Sequence, residues 1–157
     1  MGMPDQSSVE IQRQLDAAPE LVFAAFVERA LVSRWLTPGP DVRLEVLSFD
    51  ANVGGAYRFA YHRPDGQIMH VNGVFRTIEP PARLIFSWNI EPPDEHSGLE
   101  SEVTVTIMPD GKGSRLLVRH DNLTRAGAVA RHAEGWHGAM DQLVSLYSSA
   151  GIANDSQ

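Results

Sequence analysis

The chain is 157 residues long, 43% apolar and 21% charged, which is the composition of a folded domain and excludes a disordered one. Its 13 basic and 20 acidic residues give a net charge of −7 with no Lys/Arg run, a balance that speaks against nucleic-acid and membrane-surface binding. There is no cysteine for disulfides or thiolate metal sites, no run of ~18 apolar residues that could span a bilayer, and no apolar signal stretch in the polar start Met1–Ser8. The expected location is therefore cytoplasmic.

Residues 8–151 are expected to form one domain, with 1–7 and 152–157 as flexible ends. Val9, Ile11 and Leu15 alternate with Glu10, Gln12 and Gln14, the period of a half-buried strand. Pro19 and Glu20 suit the first turn of a helix, which carries Val22, Phe23, Phe26 and Val27. A second short helix, about Leu31 to Leu36, contains Trp35 and stops before Thr37-Pro38-Gly39-Pro40.

From residue 42 the period returns to two. Strands are predicted at Val42–Phe49, Tyr57–Tyr61, Ile68–Ile78, Leu84–Ile90, Glu102–Ile107 and Arg115–His120. Gly54-Gly55, Pro64-Asp65-Gly66, Glu79-Pro80-Pro81, the loop 91–98 and Pro109–Gly113 punctuate them. Seven strands joined by short loops imply mostly antiparallel neighbours.

The last segment, about Arg125 to Ala150, has helical period. Val129, His132, Trp136, Met140, Leu143 and Tyr147 form one stripe, spaced by three and four. A helix of that extent is roughly 39 Å long and crosses a small sheet. The predicted class is α+β: a curved seven-stranded antiparallel sheet wrapped around a long C-terminal helix, with two short helices after the first strand.

Alternation selects the inward strand positions. Tyr57, Phe59 and Tyr61 share a face, as do Met69, Val71, Gly73 and Phe75. So do Phe86 and Trp88, with Leu84 and Ile90, then Val103 and Val105, then Val118 and His120. With His132, Trp136 and Met140 from the helix, these define a candidate apolar cavity. Gly73 leaves room among larger inward residues, while Gly135 and Gly138 permit close helix–sheet approach or tune helix curvature.

The ordered motifs resemble the helix-grip fold of the START-like superfamily, also called SRPBCC and typified by birch-pollen-allergen-like proteins. They are most similar to bacterial relatives of the activator of heat-shock protein 90 ATPase. The carrying segments are Asp16–Phe23, Arg34-Trp35, Gly54–Phe59, Gly73–Arg76, Glu79–Leu84, Ser114–Leu116, Arg119-His120, His132 and Gly135-Trp136, over about residues 9 to 150. The chain departs from the family at Asn52-Val53, where relatives often have Arg-Pro, and at Trp35-Leu36, where many have two tryptophans. Both departures are expected near the cavity rim.

The candidate chemistry is sparse. His120 and His132 fit either a polar pair that orients a ligand and titrates near neutrality, or hydrogen-bonded core histidines. Trp88 and Trp136 fit ligand stacking or plain core packing. Arg13 is placed to hold an anionic head-group, or to pair with a carboxylate at the end of the sheet. No metal-ligand spacing, nucleophile elbow or phosphate loop is present, so no catalytic residue, metal or cofactor is assigned. The leading expectation is binding or carriage of a small hydrophobic or amphipathic molecule beneath the C-terminal helix, by a monomer or homodimer. The resemblance implies an alternative, an interaction module with a chaperone as partner. A third reading, by fold analogy, is a cyclase- or aromatase-like enzyme using a cavity histidine.

Overall fold

The computed structural model describes residues 7–148. Strand β1 (Val9–Leu15) is followed by helices α1 (Pro19–Val27) and α2 (Arg29–Trp35). Strands β2 (Arg43–Phe49), β3 (Ala56–His62), β4 (Ile68–Glu79), β5 (Arg83–Ile90), β6 (Ser101–Asp110) and β7 (Gly113–Asp121) come next, and helix α3 (Ala128–Leu146) ends the set. The predicted class holds: this is an α+β helix-grip fold with a seven-stranded antiparallel sheet.

The sheet order is β1-β7-β6-β5-β4-β3-β2. Helices α1 and α2 therefore carry the chain from one edge strand, β1, to the other, β2. A six-stranded meander then returns to β1, pairing His120 with Val9 on one side and with Val103 on the other. Register shifts at Val46/Ser48 and Phe75/Thr77 are the irregularities that bend strands, and they help the sheet curve around α3.

Pro19 opens α1 where its missing N–H has no partner to lose, and Glu20 sits at the positive end of the helix. Helix α3 starts one turn later than the periodicity suggested. Gly127 adopts φ 83° at its N-cap, a left-handed conformation that glycine tolerates, so residues 125–127 form a turn instead. The helix also stops short of the expected Ala150, because Tyr147 leaves helical geometry as its C-cap (φ −108°, ψ 20°). Residues 149–157 and 1–6, which hold most of the predicted flexible ends 1–7 and 152–157, lie outside the described residues. At 19 residues the helix is about 28 Å long, still enough to cross the sheet.

The stripe on α3 is buried at His132, Trp136, Met140 and Leu143, with Val129 and Tyr147 partly covered. Gly138 packs against the Pro38 backbone so closely that a Cβ would collide with its carbonyl. Close approach is the reason for that glycine. Gly135 has nothing within 4 Å of where a Cβ would stand. Among the described residues, no helix is long and apolar enough to cross a membrane.

Candidate functional site

Two histidines face each other between α3 and the sheet, their ring centroids 4.9 Å apart. His120, on β7, is fully buried. The indole Nε1–H of Trp136, on α3, donates to His120 Nδ1 at 3.0 Å. Tryptophan has no lone pair to offer there, so Nδ1 is the acceptor and the ring proton sits on Nε2. That proton is donated to Ser101 Oγ at 2.7 Å, and the Ser101 hydroxyl passes its own to the Trp88 carbonyl at 2.6 Å. Every polar atom in this chain is satisfied by a neutral His120. Burial, with His132 beside it, holds the imidazole well below its ordinary pKa.

His132 is wired differently. Its Nδ1–H donates to the Ala128 carbonyl at 2.8 Å, one turn back on α3. Nε2 is left with a lone pair and no hydrogen-bond partner among the described residues. Burial lowers the pKa of this ring too, against an opposing effect of the Ala128 bond. The side chain is 8% exposed and borders a cleft.

The cleft has a volume of about 230 Å³, the room of roughly eight liquid waters, and opens to solvent on one side. Its walls are Trp88, Trp136, Tyr61 and Ile90 from the interior, with Leu36, Pro38 and Val42 from the segment after α2. Trp88 is 9% exposed, and its buried indole N–H has no acceptor among the described residues. A buried donor without a partner costs about 1–3 kcal/mol. Tyr61 is fixed by donating its hydroxyl to the Leu36 carbonyl at 3.0 Å, and burial pushes its phenol up, so it stays neutral. Gln142 on α3 donates to the Thr37 carbonyl at 2.7 Å and ties the 36–38 wall to the helix.

At the mouth stand Met69, Arg63, Arg131 and Glu134. Arg131 forks onto Asp94 at 2.6 and 2.7 Å, and this pairing is the main reason the Asp94 carboxyl falls to about 2. His96, buried in the same loop, lies 6.4 Å ring to ring from His132, and its Nδ1 has no hydrogen-bond partner among the described residues. Among the described residues, no three His, Asp or Glu side chains converge as a metal site would need.

Of the sequence-predicted cavity positions, Tyr61, Met69, Trp88, His132 and Trp136 line the cleft. Tyr57, Phe59, Phe75 and Phe86 pack against one another with centroids 4.6–6.0 Å apart. Val71, Val103, Val105, Val118 and Met140 are buried in the same core, and His120 sits behind Trp136. The space beside Gly73 holds the ring of Tyr57, its cross-strand partner, whose hydroxyl donates to the Ser87 carbonyl at 2.6 Å. Arg13 takes the carboxylate option, pairing with Asp141 at 3.3 Å. Of the two family departures, Leu36 lines the cleft. Val53 is 67% exposed in the β2–β3 turn and is not part of that lining.

The wall at 36–42 and the charged mouth were not singled out from the sequence. The available signal was the Thr37-Pro38 break followed by Val42, together with Arg63 and Arg131 flanking inward positions.

The family described as activator of Hsp90 ATPase homolog 1-like protein matches residues 16–148. Solved structures agree over nearly the whole chain. A Chromobacterium violaceum protein is 25% identical with a TM-score of 0.82, covering 90% of this chain and 97% of its own. The AHSA1 protein of Silicibacter pomeroyi is 25% identical with a TM-score of 0.76, covering 88% and 95%. A Rhodobacter sphaeroides protein is 26% identical, also with a TM-score of 0.76, covering 92% and 95%. No curated protein matches the chain.

Proposed function

This chain belongs to the activator of Hsp90 ATPase homolog 1-like family of the START-like superfamily, and from that premise we propose that it binds a small apolar or amphipathic molecule in the cleft beside α3. The observation that carries the reading is a largely apolar cleft of about 230 Å³ walled by Trp88, Trp136 and Tyr61, with the unbonded Nε2 of His132 beside it. That nitrogen gives the lining one hydrogen-bond acceptor among aromatic surfaces. Apolar walls with a few oriented polar groups are what small-molecule sites are built from.

The family description supports a second reading, contact with a chaperone. It ranks behind, because the exposed large apolar residues Leu21, Leu47, Val53, Ile68, Val74 and Met108 are spread over α1, β2, the β2–β3 turn, β4 and β6. Catalysis through a histidine would fall to His132, since the lone pair of His120 is already committed to Trp136.

Native mass spectrometry of gently purified protein, compared with the same sample denatured, tests the binding reading. The expected result is a reproducible mass excess that disappears on denaturation. No excess, together with tryptophan fluorescence unmoved by a panel of small apolar compounds, would favour the chaperone contact.

A further inference from the structure

Two guanidinium groups meet at the mouth of the cleft over a poor acceptor. Arg63, just after β3, and Arg131, in the first turn of α3, both donate an N–H to the Met69 sulfur, at 3.6 and 2.9 Å. A thioether carries no charge and accepts hydrogen bonds weakly, so it offsets little of the repulsion between them. The Asp94 carboxylate is felt by both arginines but, of the two, hydrogen-bonds to Arg131 alone. Both its oxygens are taken by Arg131, and the backbone N–H of His96 adds a third bond. The Arg63 guanidinium makes no hydrogen bond to a carboxylate or other oxygen among the described residues. Glu134 also borders the cleft but is exposed and forms no ion pair with either arginine, and Glu95 beyond it is 81% exposed. His132 and His96 are the remaining titratable neighbours, and His132 brings no charge while neutral.

The residue between the arginines is one that yields easily. Met69 is only partly buried, and methionine turns about three bonds at little expense. A carboxylate has two coplanar oxygens that match the guanidinium fork and form charge-assisted bonds well beyond what sulfur offers.

We infer that the cleft is built for an anion: an apolar molecule of about octanoate size whose carboxylate displaces the Met69 sulfur and engages Arg63, with its hydrocarbon against Trp88 and Trp136. This rests on the cleft being the ligand site. The net charge of −7 works against the approach of any anion, so selection must come from the local geometry at Arg63 rather than from the long-range field.

The test is calorimetric titration of the full chain at pH 7 with sodium octanoate and with 1-octanol, which has the same carbon chain and no charge. Octanoate should bind at least tenfold more tightly than octanol. In Arg63→Gln that preference should fall below threefold, and Arg63→Lys should restore part of it. Urea midpoints equal to that of the unaltered protein show that the variants remain folded. Equal affinities in the unaltered protein would overturn the anion inference and leave the cleft reading standing. A preference that survives Arg63→Gln would overturn the assignment to Arg63. Binding of neither compound would overturn both.

Discussion

Trp136 donates its indole N–H to Nδ1 of His120 at 3.0 Å, so a residue of the long helix fixes the tautomer of a residue on the last strand. The bond ties helix to sheet through two buried side chains, and it commits the His120 lone pair to structure. Trp136→Phe keeps an aromatic ring and leaves Nδ1 buried without a donor. The expected loss is about 1–3 kcal/mol of stability, read from urea denaturation. A loss below about 0.5 kcal/mol would mean that the bond contributes little to holding α3 on the sheet.

Both interior histidines are held below their ordinary pKa in the folded protein. In the unfolded chain they gain protons as pH falls through about 6.5, while the native rings resist. The unfolded state then binds more protons, so stability falls with decreasing pH below that value. The slope contributed by each histidine is at most about 1.4 kcal/mol per pH unit. Urea midpoints between pH 7.5 and 5 should decline, and the decline should be shallower in His120→Gln. An unchanged slope in that variant would show that His120 is not held neutral.

Gly135 and Gly138 sit one turn apart on α3 and predict opposite outcomes. A Cβ at Gly135 meets nothing within 4 Å, so Gly135→Ala should stabilise the helix by about 0.5–1 kcal/mol. At Gly138 the added carbon collides with the Pro38 carbonyl, and Gly138→Ala should destabilise by about 1–3 kcal/mol. Thermal unfolding of the two variants checks this directly. Equal shifts of the same sign would contradict the described packing of α3 on the 36–38 segment.

Strand positions and inward faces were legible because β3 to β7 alternate cleanly between breaker residues, and the stripe on α3 kept helical spacing. Which inward residues touch each other and which border open space was not, since alternation gives a face and not a neighbour. Gly73 illustrates the limit. In the sequence it reads as room left open, but the antiparallel register sets it opposite Tyr57, whose ring fills that room. Arg63 and Arg131 are 68 positions apart and meet only because the β3–β4 hairpin reaches the start of α3, a contact no local period encodes. His120 and His132 showed as inward polar residues, but only the directions of their hydrogen bonds separate a structural ring from an available one.

The most direct test of the account follows the three indole N–H signals by ¹H–¹⁵N NMR while 1-octanol is titrated into the protein. Trp88 and Trp136 line the cleft, whereas Trp35 is fully buried elsewhere and donates to the Ala25 carbonyl at 2.9 Å, which makes it an internal control. Saturable shifts of the Trp88 and Trp136 signals, largest at Trp88, with Trp35 unmoved, are the predicted result. Three static signals, or three that drift together without saturating, would contradict binding in this cleft.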